Sequence, residues 1–189
     1  VTLTCEKTAL DGALTPEATA NMLRTLLAVP QGVQAMNVDF PGLVQTSLNM
    51  GVMEMKEDGL YFGISVRSCI ATQKDMMVQR LKAILELGGG SFTLRGSYPG
   101  WQYDRNSALR EEVLGAYKSV CGKQGTIEAT HGGLECGLFV EKLPGLDAVS
   151  FGPELHDVHS VKERLNVAST QRVYEVTREL LRRESAAGK

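Results

Sequence analysis

The sequence predicts a mixed α/β (α+β) protein in two parts, the first of them a ferredoxin-like βαββαβ unit. Short stretches with strand periodicity alternate with longer stretches that have one apolar helical face. A strong hairpin turn, Glu57-Asp58-Gly59, joins two of the strands. The turn residues of Tyr98-Pro99-Gly100-Trp101 then separate residues 1–97 from residues 98–189.

The first part opens with a predicted strand over residues 1–8, where apolar and polar residues alternate. A helix follows, with Thr15 as its N-cap and Pro16 at the first helical position. Its apolar face ends before Pro30 and comprises Ala18, Met22, Leu23, Leu26 and Leu27.

Two strands, over residues 43–56 and 60–69, flank the hairpin turn. Because side chains change face at every residue, Arg67 is expected opposite Phe62 and Ile64. A second helix is predicted from Thr72, with Asp75 completing a capping box, to the glycines at 88–90. A fourth strand over residues 91–97 would complete the βαββαβ order.

The second part begins with a helix capped by Ser107 and stopped by Gly122. Strands are predicted over residues 126–130 and 148–151, and a final helix over residues 169–183. Since a two-stranded sheet seldom stands alone, this part is predicted to belong to a larger α/β sheet.

Composition and charge exclude several classes of function. The net charge is −2 and the basic residues are dispersed, so we expect no nucleic-acid partner. No apolar run has membrane-spanning length and no signal peptide is recognisable, so we expect no membrane partner. The four cysteines are scattered without CxxC spacing, which favours reduced thiols and a cytoplasmic location.

Three residues are candidates for site chemistry. His159 follows a predicted strand in a loop, where ligands collect in α/β folds, although a lone loop histidine is more often a surface residue. His156, three residues earlier, is expected to be solvated. Glu135 lies among glycines that let a backbone approach a ligand, although such a position is more often an exposed acid at a strand-to-helix turn. Arg67 is a candidate for binding a substrate carboxylate, although a half-exposed strand often carries a solvated arginine that has no role in binding.

Five strings of this sequence closely resemble the C-terminal portion of the bacterial aminoacyl-histidine dipeptidases (Xaa-His dipeptidases, carnosinase-like) of the M20 metallopeptidase family. They are residues 46–52 (TSLNMGV), 66–68 (VRS), 96–102 (GSYPGWQ), 131–139 (HGGLECGLF) and 150–153 (SFGP), the last followed by His159, Ser160 and Glu163. The resemblance covers most of residues 28–183 in order.

The resemblance implies a lid and dimerisation domain whose last part is residues 1–97, and a zinc-peptidase α/β domain whose C-terminal part is residues 98–189. It also implies two zinc ions, with other divalent metals possible, a dipeptide substrate and a homodimer. The family's last metal-ligand histidine falls on His159, and its carboxylate-binding lid arginine falls on Arg67. Glu135 falls on the glycine-rich loop at the substrate cleft, where it could contact the free amino group.

The resemblance places no catalytic residue in this chain, because the general base and the other metal ligands belong to the N-terminal half of the family. These 189 residues alone are therefore expected to be inactive. The alternative is a non-catalytic ferredoxin-like dimerisation or binding module.

Overall fold

The computed structural model describes residues 12–130, 133–186 and 188. In chain order these residues form helix α1 (Pro16–Ala28), strands β1 (Gly32–Met36), β2 (Val44–Lys56) and β3 (Gly59–Ser68), and helices α2 (Ala71–Leu87), α3 (Ala108–Cys121) and α4 (Glu135–Lys142). Strands β4 (Leu155–His156) and β5 (Arg164–Leu165) and helix α5 (Val167–Ala186) complete them. The mixed α/β class is confirmed. The strand predicted over residues 1–8 lies outside the described residues.

Strands β1, β2 and β3 form an antiparallel sheet in that order. The predicted hairpin is confirmed, because Lys56 pairs with Gly59 across a turn at residues 57 and 58. Strand β1 was not predicted. It pairs with the start of β2, with Gly32 opposite Leu48, and its register is irregular between Val33 and Met36.

The core of the first part lies between one face of this sheet and the two helices. Its buried members are Val29, Leu48, Met77 and Leu81, and the residues packed against them include Ile64 and Val66 of β3. Helix α1 contributes less than predicted, since it has no fully buried residue and Leu27 is 87% exposed. Its contact with α2 is partly polar, because the Asn21 side-chain amide donates to the Gly88 carbonyl at 2.7 Å.

Of the three helix N-caps predicted from the sequence, those of α1 and α3 are confirmed. Thr15 Oγ1 accepts the N–H of Ala18 at 3.2 Å. Ser107 Oγ accepts the N–H of Arg110 at 3.0 Å, and Gly122 ends α3 in the left-handed conformation with φ 69°. The predicted capping box of α2 is wrong, since the helix begins one residue earlier and its N-cap, Ile70, has no side chain that could accept a hydrogen bond.

Three predicted strands are wrong, since residues 91–97, 126–130 and 148–151 are not strands. A strand requires a hydrogen-bonded partner, and within the described chain none pairs with these segments. The described residues consequently do not show the full βαββαβ order. Between the last two segments lies α4, a helix that was not predicted.

Helices α3 and α5 pack on each other through the buried residues Val113, Ala116 and Val176. Asp147, from the segment between α4 and β4, reaches the first turn of α3. Its carboxylate accepts from Ser107 Oγ at 2.6 Å and from the Leu109 N–H at 2.9 Å. No helix in the described ranges is long and apolar enough to cross a membrane.

Candidate functional site

Arg67 lies near the end of β3 on the face away from the core. It is exposed, while its neighbour Val66 packs inward, and it stands opposite Ser47 of β2. This agrees with the face predicted from strand alternation. Its guanidinium forms no ion pair with another described residue, unlike the guanidinium of Arg105, which is bound to Asp39. The five N–H donors of Arg67 are thus free to bind an incoming carboxylate.

Glu135 is the first residue of α4, so the predicted loop position is in fact a helix start. A carboxylate in the first turn is favoured by the positive end of the helix dipole. The cap residue Leu134 provides no side-chain acceptor for the first N–H groups. Desolvation, followed by the negative charge of Glu135, raises the pKa of Tyr98, and Glu135 therefore lies near that phenol.

His159 lies in the loop between β4 and β5, with a left-handed φ of 65° that is uncommon for a residue other than glycine. Its backbone N–H donates to Glu163 Oε2 at 2.9 Å. Within the same loop, Asp157 binds Arg164 at 2.7 Å. The imidazole is exposed and makes no hydrogen bond to another described residue, so both ring nitrogens face solvent. His156 is also exposed, as predicted, but it belongs to β4 rather than to an irregular loop.

Residues 98–101, which we name the connecting segment, bring the strand of Arg67 and the helix of Glu135 together. A Cβ added to Gly100 would stand 2.7 Å from the carbonyl oxygen of Cys69 and 2.8 Å from that of Ser68. On the other side, a Cβ added to Gly133 would stand 2.5 Å from the Tyr98 ring. Lys74 Nζ of α2 also donates to the Tyr98 carbonyl.

The hairpin that carries His159 is anchored elsewhere, on α5. Glu154 accepts from the Arg172 guanidinium at 2.9 Å and from the Asn166 amide at 2.8 Å. The Glu154 N–H donates in turn to Ser169 Oγ at 2.8 Å. The structure therefore places Arg67 and Glu135 on opposite sides of one segment and His159 on a separate support.

The side chains in the described part of the chain do not make a complete metal site. Across residues 12–130 and 133–186, no three His, Cys, Asp or Glu residues cluster in a way that could hold an ion. A catalytic zinc ion takes three protein ligands, and two-metal sites take more. The exposed imidazole of His159 would fill at most one position of such a set.

A cavity of about 350 Å³ was missed by the sequence analysis. Its lining includes Asn37, Asp39, Gln45, Cys69, Tyr103 and Arg105. Burial raises the pKa of the Cys69 thiol, which keeps it protonated and unreactive. No local sequence signal points to this cavity, because its walls come from three distant stretches of the chain.

The sequence and the fold were compared with those of known proteins. No protein-family model matches the chain. It is 35% identical over 170 residues to the cytosol non-specific dipeptidase of Escherichia coli K12, a match that covers 90% of this chain and 35% of that protein. The chain thus spans about a third of the length of this relative.

The solved structures that resemble the fold include two peptidases. The aminoacylhistidine dipeptidase from Vibrio alginolyticus matches with a TM-score of 0.81 and 32% identity, over 94% of this chain and 36% of that one. The aminopeptidase PepT from Bacillus cereus ATCC 10987 matches with a TM-score of 0.63 and 15% identity, over 86% of this chain and 44% of that one, which shows the fold alone. The resemblance to the aminoacyl-histidine dipeptidases is therefore confirmed, and the chain is homologous in sequence and in fold to one part of these peptide hydrolases.

Proposed function

We propose that the chain is the C-terminal part of an M20-type di-zinc dipeptidase that hydrolyses Xaa-His dipeptides. Residues 1–97 would be the last part of its lid domain, and residues 98–189 the last part of its catalytic domain. The main support for this proposal is the structural match to an aminoacylhistidine dipeptidase, with a TM-score of 0.81 over 94% of the chain. The 35% identity to a dipeptidase over 170 residues supports it independently.

Arg67 is the residue proposed to bind the C-terminal carboxylate of the dipeptide. Its guanidinium is exposed and has no acidic partner in the described part of the chain, so binding a carboxylate breaks no internal ion pair. A guanidinium offers two parallel N–H donors to a carboxylate, which fixes the direction of the substrate as well as its position.

Glu135 is proposed to contact the free amino group at the other end of the dipeptide. Its carboxylate is exposed to solvent and forms no ion pair with another described residue. An ammonium group would find there a negative charge close to the Tyr98 phenol. The connecting segment contacts both the strand end next to Arg67 and the start of the helix that carries Glu135.

His159 is proposed to hold one of two zinc ions, with other divalent metals as possible substitutes. Zinc, when bound, supplies Lewis-acid polarisation of the peptide carbonyl and activation of a water. His159 would contribute a neutral imidazole nitrogen, and the hydrogen bond from its backbone to Glu163 would fix the loop that carries it. The general base and the other ligands are proposed to lie in a part of the full-length protein outside residues 1–189.

The proposal is tested by comparing the full-length protein with residues 1–189. The full-length protein should hydrolyse β-alanyl-histidine, lose this activity with a chelator and regain it with zinc. The chain alone should be inactive, because loss of a general base and metal ligands costs several orders of magnitude in rate. Turnover by residues 1–189 alone would overturn the assignment of ligands and the fragment interpretation.

A homodimer in the cytoplasm is part of the same proposal. The outer half of the β2–β3 hairpin exposes apolar side chains that a second copy would cover, namely Val52, Met53, Met55 and Tyr61. The same surface favours the alternative function, a non-catalytic dimerisation module. Light scattering on the full-length protein measures the oligomer, and a dimer without peptidase activity would favour the alternative.

A further inference from the structure

We propose that the connecting segment, residues 98–101, is a spacer that sets the separation of Arg67 and Glu135 and thereby selects the length of the peptide. The inference rests on the proposed function of these two residues and adds a determinant of specificity to it. Its residues would be positioning residues, since they act through Arg67 and Glu135 rather than on the substrate.

The contact on the sheet side leaves no room for a side chain. A Cβ on Gly100 would stand 2.7 Å from the carbonyl oxygen of Cys69 and 2.8 Å from that of Ser68. Both obstacles are backbone atoms, and Ser68 directly follows Arg67. Ser68 is itself held, because its hydroxyl lies 2.9 Å from Thr46 Oγ1 in the buried part of the sheet. The strand end therefore cannot yield without moving β3.

The contact on the helix side is equally close. A Cβ on Gly133 would stand 2.5 Å from Cδ1 and 2.8 Å from Cε1 of the Tyr98 ring. A Cβ on Gly137, which is buried in α4, would stand 3.2 Å from the Pro99 carbonyl oxygen. The first turn of α4, and Glu135 with it, thus rests directly on the segment.

The segment is also anchored at its first residue. Lys74 of α2 donates to the Tyr98 carbonyl, so the segment is tied to the same helix that carries the core residues Met77 and Leu81. The connecting segment, with a glycine at each tight contact, hence lies between a proposed carboxylate-binding group and a proposed amine-binding group. We expect added bulk at either contact to move the two groups apart.

Two substrates that differ by one methylene measure this separation. In β-alanyl-histidine the amino group is one methylene further from the carboxylate than in alanyl-histidine. The full-length protein and its Gly100→Ala and Gly133→Ala variants are assayed for kcat/KM with both substrates. The kcat/KM for β-alanyl-histidine divided by that for alanyl-histidine should rise about tenfold in each variant. A misplacement of 1 Å costs about 10²-fold in rate.

Control variants distinguish a change in the spacing of Arg67 and Glu135 from a general loss of activity. Gly12→Ala, with an ordinary φ and nothing within 4 Å of the added Cβ, should leave the ratio unchanged. In a Tyr98→Ala background, the Gly133→Ala substitution should no longer shift the ratio, because the ring that it meets is gone. If Gly100→Ala fails to fold, Gly137→Ala makes a milder change at the same segment and should shift the ratio in the same direction.

The outcomes distinguish this inference from the proposed function. A wild-type protein that hydrolyses neither substrate overturns the proposed function, and the inference with it. An active wild type whose variants lose kcat/KM equally for both substrates, with the ratio within about twofold of wild type, leaves the proposed function standing. That result would reduce the connecting segment to a purely structural link and overturn the inference.

Discussion

Glu163 Oε2 accepts the backbone N–H of His159 at 2.9 Å, and this bond closes a turn in which His159 has a left-handed φ of 65°. A left-handed conformation is costly for a residue with a side chain, so the surrounding bonds must hold it in place. Ser160 contributes as well, because its hydroxyl donates to the Asp157 carbonyl at 2.7 Å. The direction of the imidazole therefore depends on the carboxylate of Glu163.

Substituting Glu163 should weaken zinc binding without removing a ligand. We expect Glu163→Ala to lower the zinc affinity of the full-length protein by about tenfold, the lower end of the effect of orienting groups around a metal. Glu163→Gln keeps an acceptor oxygen and should change the affinity little, while His159→Ala should lose the ion. Titration against a competing chelator measures all three. Equal affinity in wild type and Glu163→Ala would show that the turn does not orient the ligand.

Replacing Arg67 with lysine should weaken substrates that carry a free C-terminal carboxylate. A two-pronged contact becomes a single point charge, at a cost of about 1–3 kcal/mol in transition-state binding. Dipeptide amides should be poor substrates for both proteins and should be affected far less. The measurement is the ratio of kcat/KM for acid and amide substrates. Arg80→Lys, on the exposed face of α2, is the matched control and should leave the ratio unchanged. An unchanged ratio in Arg67→Lys would make Arg67 an ordinary solvated strand residue.

Asp147 should stabilise α3 only when it is charged. The hydrogen bond from Ser107 Oγ, opposed by desolvation and assisted by the Leu109 and Ala108 N–H groups, lowers the pKa of Asp147. Because the folded-state pKa lies below the unfolded one, this stability is present above about pH 4 and is lost as the pH falls through the lowered folded-state value. Asp147→Asn should lower the melting temperature at pH 7 and have a smaller effect near pH 3. A difference that does not depend on pH would contradict the electrostatic account.

Truncating Leu81 should destabilise the first part of the chain strongly. Leu81 is 2% exposed and belongs to the cluster between the sheet and α2. Leu81→Ala removes buried apolar atoms and leaves a cavity, at a cost of about 2–5 kcal/mol. Leu87→Ala, at the 87% exposed end of the same helix, should change the free energy of unfolding by less than about 0.5 kcal/mol. Urea unfolding compares the two, and similar losses would mean that the core lies elsewhere.

Local signals in the sequence predicted the elements that depend on local interactions. The turn before Gly59, the caps at Thr15 and Ser107 and the left-handed Gly122 are all confirmed, because each is decided by residues within one turn of itself. The side of β3 that carries Arg67 is confirmed for the same reason, since strand alternation is a local rule.

Elements that depend on distant partners were predicted poorly. Strand β1 contains Gly32 and Ala35, which are weak strand formers, and it exists because β2 lies beside it. Residues 126–130 and 148–151 were predicted as strands but have no partner strand among the described residues. Helix α4 was missed because the glycines before Glu135 resemble a loop. For the same reason, the contacts of Gly100 with Ser68 and Cys69 and of Gly133 with Tyr98 could not be predicted from spacing along the chain.

Burial along β2 is uneven, and this gives the hairpin two regions of different protection. Gln45, Thr46 and Leu48 are buried, whereas every residue from Gly51 to Lys56 is exposed. In the outer region the amides are secured only by the ladder to β3, so a local opening can release them without disturbing the core. Amide hydrogens of residues 51–56 should consequently exchange with solvent through small fluctuations. Those of residues 45–48 exchange only when the whole sheet unfolds, which makes the hairpin a firm base with a tip that opens independently.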